Sequence, residues 1–350
     1  MSQLAIHTRI NSLDAMKAIA ALFVVIIHTN PFRGINLPWF NGDLIDYILD
    51  TTARFAVPYF FLVSGYLFAN SLMKYNHLRK TLVKYLWRIL FIHISWGLLY
   101  YGPRFIANPS EMLNFERLFK ELFWIGFEVH LWFLPALMVG LIGLYIAARQ
   151  KMIKLLLWVS FVLHIAGMFG DGQIYYSVFQ LPLWPTGTRD GIFFGLFYIT
   201  LGYHLFFNPP SKWMNKFSNL KLFLLLFGVI LLQLVERWMA FELHNANPDC
   251  DYYLMTIPFS ILVFLLCLKN NKWGNSKLIL DLGVNSMGIY VIHVAVLLQL
   301  TALIDLLDVS FLRNNILWHL VYTPIIYFSA YFIYKYWKSL RVVISKGIGR

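Results

Sequence analysis

The segment LDAMKAIAALFVVIIH carries three polar side chains, Asp14, Lys17 and His28, in a run otherwise apolar enough to cross a membrane. Each is costly there, since a charged side chain at mid-bilayer costs roughly 2.5–3.5 kcal/mol on insertion scales. At about 100° per residue, His28 falls roughly 20° from Lys17 and roughly 40° from Asp14 around a helix axis, so the three share one face. Lys17 and His28 are separated by about 16.5 Å along that axis at ~1.5 Å per residue. The spacing suits a long ligand with a charged end at a membrane surface and a reacting end deep in the bilayer. An imidazole, with a free pKa of about 6.5, can take a proton from a hydroxyl near neutral pH. Helix packing also uses polar groups, but ionisable residues inside membranes mark functional sites by default.

Other groups could serve the same chemistry. Arg54 lies at the start of TTARFAVPYFFLVSGYLF, where Pro58 is expected to bend a helix and Ser64-Gly65 to let another backbone approach closely. The segment FEVHLWFLPALM crowds Glu128, His130 and Trp132 beside Pro135. A carboxylate, an imidazole and an indole at a membrane mouth can bind a sugar, the ring stacking on the indole and the polar groups taking the hydroxyls. Arg189 precedes GIFFGLFYITLGY, whose Gly191, Gly195 and Gly202 form a small-residue face. The stretch HLRKTLVKYLWRIL gathers Arg79, Lys80, Lys84 and Arg88 within three turns. These cations suit phosphate groups, whether of lipids or of a ligand near Lys17. In GVNSMGIYVIHVAVL, His293 lies mid-bilayer near Tyr290, where a structural hydrogen bond is the favoured role.

The elements that must position these residues are membrane helices. The chain is 59% hydrophobic and 13% charged, where a soluble domain carries about 25% charge. The expected fold is an all-α integral membrane protein, a single transmembrane domain over residues 1–350 with no separate soluble domain. Apolar runs long enough to span fall near 14–31, 51–72, 83–101, 131–148, 152–170, 190–207, 219–240, 253–269, 283–304 and 314–337, which predicts about ten transmembrane helices. The connector 102–130 predicts one interfacial amphipathic helix near 114–127. The first apolar run is too long for a signal-peptide core and is expected to be retained.

Ten spans put both termini on one side. That side then holds 21 of the 29 basic residues and only Asp14 and Asp281 among the 17 acids. The positive-inside rule makes it cytoplasmic, and His28 then lies toward the outer face. The partition also accounts for the net charge of +12 without nucleic acid: the cations are orientation signals, lipid contacts and anion contacts. Cys250 and Cys267, if on one helical run, are roughly 25 Å apart and cannot bridge. No Cys/His cluster points to a metal. No GxSxG, Walker or HExxH pattern is present.

On these residues the chain resembles the membrane-bound acyltransferase-3 family. The likeness rests on Lys17 and His28 as a (Arg/Lys)-x10-His pattern with Asp14 before it, and on ARFAVPYFFLVSGYLF, HLWF, RDGIFFGLFYITLG and NSMGIYVIH in the family's order. Within the family it is similar to stand-alone O-acetyltransferases of the enterobacterial-common-antigen type, and to the membrane half of serine racemases. The resemblance implies a multi-pass protein of the bacterial cytoplasmic membrane. It further implies transfer of an acyl group, usually acetyl, from cytoplasmic acetyl-CoA to a hydroxyl of a glycan or lipid-linked saccharide at the outer face. His28 maps onto the family's essential histidine and Lys17 onto its basic partner. On this reading His28, as catalytic base or transient acyl relay, and Asp14 form the catalytic set. Lys17, Arg79, Lys80, Lys84 and Arg88 bind the CoA phosphates. Arg54, Glu128, His130, Trp132 and Arg189 line the acceptor mouth, and no metal is used. The family's Arg-Asn-Gly reads Arg189-Asp190-Gly191 here. A polysaccharide or small-molecule transporter of the same membrane fold is the rival reading.

Overall fold

A computed structural model of the protein describes residues 9–109, 113–181, 187–246 and 250–348. In chain order its helices are α1 Asn11–Thr29, α2 Gly42–Ala53, α3 Ala56–Tyr75, α4 Leu78–Ala107, α5 Phe115–Lys120, α6 Phe133–Arg149, α7 Ile153–Gly167 and α8 Ile174–Phe179. They continue as α9 Leu196–Phe207, α10 Ser211–Met214, α11 Asn219–His244, α12 Thr256–Lys269, α13 Lys277–Val284, α14 Ser286–Leu306 and α15 Ile316–Ile348. A two-residue antiparallel hairpin, Asn36–Leu37 with Phe40–Asn41, links α1 to α2.

The protein is an all-helical membrane protein. Among the described residues, seven helical segments are long and apolar enough to cross a bilayer, and three further apolar helices, Ile153–Gly167, Gly191–Phe207 and Thr256–Lys269, are shorter. All ten coincide with the runs read from the sequence. The shorter three reach only about 21–26 Å at ~1.5 Å per residue, against a hydrocarbon thickness of about 30 Å.

Two expectations are corrected in detail. The span expected at 51–72 is two helices: α2 starts at Gly42, and the chain breaks at Arg54-Phe55 before α3. Pro58 therefore sits in the first turn of α3, where a missing N–H costs nothing, and the bend lies ahead of it. The interfacial helix expected near 114–127 is only Phe115–Lys120, capped by the Asn114 side chain, followed by a wider π-type turn over Glu121–Ile125.

The chain forms two compact units. The smaller contains Asn11–Ala56 together with the chain from Asn271 onward; the larger contains Val57–Asn270. In the smaller unit, α1 lies against α13, α14 and α15. Its buried face is small: Ala15, Ala18, Ala20 and Ala21 are all buried. Gly283 makes the closest approach, since a Cβ there would lie 1.8 Å from the carbonyl oxygen of Asp14. Small residues at such crossings let backbones meet where lipid supplies no hydrophobic drive. Tyr327 of α15 donates to the carbonyl of Ala18 at 2.9 Å. In the larger unit, Gly65 of α3 plays the part expected of it: a Cβ there would lie 1.9 Å from the carbonyl oxygen of Ile199 in α9.

Candidate functional site

In the smaller unit, α1 presents Lys17 near its start and His28 in its last turn. Asp14 and Lys17 are brought together as an ion pair of 2.7 Å, each side chain largely covered. Asp14 is roughly 21 Å from His28 along the axis at ~1.5 Å per residue, so its direct neighbour is the lysine. The helix ends just past His28 because Asn30 takes a left-handed conformation, φ 42°, a common helix stop. That end of a helix tolerates a cation best, because its carbonyls are not all satisfied. Thr29 shares a hydrogen bond of 2.7 Å with Thr323 of α15, which anchors the end of α1.

His28 is half-buried. Its imidazole has a second imidazole as neighbour: the ring of His293, from α14, lies 5.0 Å away between centroids with the planes tilted by 48°. His293 is fully buried and its Nδ1 lies 2.7 Å from the Tyr290 carbonyl oxygen. The expected structural hydrogen bond is therefore present. The sequence contained the residue but not its partner, because residues 265 positions apart share no periodicity.

Arg54 ends α2 and donates to both carboxylate oxygens of Asp50 at 3.0 Å. The pair is nearly covered, at 9% and 11% side-chain exposure. One guanidinium nitrogen serves both oxygens, and this charge-assisted contact holds Arg54 against Asp50.

In the larger unit the expected mouth residues acquire partners that the sequence reading missed. Arg104, from the far end of α4, pairs with Glu128 and donates to the Phe127 carbonyl at 2.7 Å. It also lies 3.8 Å from the buried Glu121, which Arg117 engages at 3.0 Å. His130 is buried, its Nε2 3.5 Å from the Tyr100 hydroxyl. Trp132 and Arg189 do come together: the guanidinium lies 5.3 Å from the indole centroid. Trp132 is only 6% exposed, so the stacking face expected for a sugar is covered here, with Arg189 over the ring. Arg189 also donates to Asp251 at 3.1 Å. A membrane arginine requires an acceptor, so a carboxylate for Arg104 and for Arg189 was to be expected, but not which one.

Asp190 is a helix cap. Its carboxylate accepts from the N–H groups of Ile192 and Phe193 at 2.7 and 2.8 Å. Glu236 acts similarly at a distance, accepting from the N–H groups of Leu254 and Met255 ahead of α12 and from Tyr175. Burial and the adjoining Glu236 carboxylate raise the Tyr175 phenol above its ordinary range.

Arg79, Lys80, Lys84 and Arg88 all lie exposed on the first turns of α4. Residues 80, 84 and 88 repeat every four positions and so form one stripe. Lys84 donates to the Tyr75 hydroxyl at 3.1 Å and sits 4.6 Å over that ring. Cys250 and Cys267 are both buried, beside the Tyr253 and Tyr59 hydroxyls respectively. No cluster of three or more His, Cys, Asp or Glu residues suited to a metal occurs among the described residues.

A multi-pass helical protein with a polar helix face ending in a pair of neighbouring imidazoles is the class so defined. The chain belongs to the acyltransferase-3 family: the family's acyltransferase-domain profile matches residues 10–335. An amino-acid racemase of Enterococcus faecalis is 27% identical over 354 residues, covering 97% of this chain and 48% of that protein. A serine/alanine racemase of Enterococcus gallinarum is 26% identical over 325 residues, covering 88% of this chain and 44% of that protein. The chain thus spans about half the length of these relatives. No solved structure matches.

Proposed function

We propose that this protein is an integral-membrane O-acyltransferase, with acetyl-CoA as donor and a hydroxyl of a glycan or lipid-linked saccharide as acceptor. The observation that carries the reading is the polar face of α1, with Lys17 held by Asp14 at one end and His28 at the other, inside a chain that belongs to an acyltransferase family. In this reading ten helices cross the bacterial cytoplasmic membrane and both termini are cytoplasmic. Lys17 meets the donor's phosphates, and Asp14 keeps its ammonium in place. The exposed stripe of Arg79, Lys80, Lys84 and Arg88 attracts the donor from the cytoplasm.

The chemistry balances with His28 as general base. His28 takes the proton of the acceptor hydroxyl as its oxygen attacks the thioester carbonyl. The C–S bond breaks, and His28 returns the proton to the leaving thiolate, giving the acyl ester and free CoA thiol. Holding both reactants in register supplies much of the rate. Arg54, fixed by Asp50, is the cation assigned to the tetrahedral oxyanion. The family resemblance assigns Glu128, His130 and Arg189 to the acceptor, and within the larger unit the Trp132 ring lies against Arg189.

The experiment is incubation of the purified protein in nanodiscs with radiolabelled acetyl-CoA and extracted envelope glycans. Label in the glycan fraction, released by mild alkali as an O-ester would be, supports the reading; label absent from every fraction overturns it. The racemase-named relatives favour a second reading, in which the membrane domain carries a free amino acid. That reading predicts saturable amino-acid uptake into proteoliposomes with no consumption of acetyl-CoA.

A further inference from the structure

His293 is a buried titratable group to which the proposed mechanism gives no part. It lies in α14 with no solvent exposure. Its Nδ1 is 2.7 Å from the carbonyl oxygen of Tyr290 and 3.3 Å from that of Ile289. A carbonyl oxygen only accepts, so Nδ1 carries the proton and donates. Full burial makes a charge on the ring costly, so the tautomer is Nδ1–H, with Nε2 as the acceptor.

The backbone of α14 therefore fixes both the rotamer and the tautomer of this ring, 5.0 Å from the ring of His28. The arrangement follows the logic of other base-catalysed sites, where the base is oriented by a third group whose own geometry is locked. Asp14 cannot fill that place, being a helix-length away and engaged with Lys17.

We propose that His293 is a positioning residue for His28: its locked imidazole holds the His28 ring in the orientation that faces the acceptor hydroxyl. The inference rests on the acyltransferase reading. It explains why a fully buried histidine stands beside the base where an apolar side chain would fill the space at lower cost. Within the ring Nδ1 serves the helix, which leaves the remainder of the ring beside that of His28.

Two isosteres separate these roles. In His293→Asn the amide nitrogen replaces Nδ1 and nothing replaces Nε2. In His293→Gln a polar atom reaches the Nε2 position. The expected result is that His293→Asn unfolds at the wild-type temperature, loses about 10- to 100-fold in kcat and keeps its KM for acetyl-CoA within twofold, while His293→Gln recovers much of the loss. An Asn variant as active as wild type overturns the proposal, because a purely structural bond is all it retains. Should the Asn variant fail to fold, the comparison of Gln with Leu reads the same question.

A second measurement does not need activity. Diethyl pyrocarbonate labelling of His28, followed by peptide mass spectrometry with His244 as internal reference, should change at least threefold in the Asn variant. An unchanged rate overturns the proposal. If wild-type protein transfers no acyl group, the acyltransferase reading fails, and the labelling result still decides the pair.

Discussion

In the larger unit Glu128 meets Arg104 and Arg189 meets Asp251, whereas in the smaller unit the imidazole of His28 has another imidazole as its neighbour. The two regions solve the cost of polar groups in a membrane differently. Opposite charges neutralise each other and hold a shape, but a carboxylate locked to a guanidinium is a poor proton carrier. A neutral imidazole keeps one ring nitrogen as an acceptor. On the proposed reading, the larger unit's ion pairs hold a polar surface in shape and His28 of the smaller unit moves the proton. The Asp14–Lys17 pair at the other end of α1 belongs to the first kind: it holds the lysine side chain in place.

The sharpest way to break this comparison is at His28. His28→Ala should lose 100-fold or more in acyl transfer, the scale of general-base catalysis, with no loss of folded protein. Quantitative glycan acetylation normalised to membrane protein level checks it. A structural break comes next: Gly65→Val should sharply lower the yield of monodisperse protein on size exclusion, because its Cβ would lie 1.9 Å from the Ile199 carbonyl oxygen and two backbones cannot both stay. Arg189→Ala tests the mouth. It should raise the KM for the acceptor by about tenfold, the value of a charge-assisted hydrogen bond, and leave the KM for acetyl-CoA unchanged in initial-rate kinetics.

Lys17→Ala should raise the donor KM several-fold and leave the acceptor KM alone, whereas Lys17→Arg, which keeps the charge beside Asp14, should stay near wild type. The smallest effect is expected at Asp281. Hydrogen bonds from Lys335 and Tyr331 hold its carboxyl below the usual range. A depressed carboxyl adds stability above its unfolded pKa of about 3.9 and loses it as pH falls through the lower folded value. Asp281→Asn should therefore lower the melting temperature by about 1–2 °C at pH 7, as for a partly exposed pair. The difference should shrink as pH falls below about 3.9 and vanish once the folded carboxyl is protonated; a difference that does not shrink in acid contradicts the pairing.

The membrane class and most helices were legible because a bilayer imposes length and apolarity on every span. The polar face of α1 was legible because three residues on one helix obey one periodicity. The break at Arg54-Phe55 was not, since α2 and α3 read as one apolar run and Pro58 drew attention to a point three residues past it. The partners of Glu128, Arg189 and His28 were hidden for another reason. Arg104, Asp251 and His293 lie 24, 62 and 265 positions away, and only packed helices bring them close. Asp190 was within reach, because an Asp directly before a helix is a common cap.

The most direct test of the central claim is single-turnover release of free CoA thiol from acetyl-CoA by the protein in nanodiscs, wild type against His28→Ala, with and without envelope glycans. The account predicts release that requires both His28 and glycan. Equal release by the His28→Ala protein would contradict it.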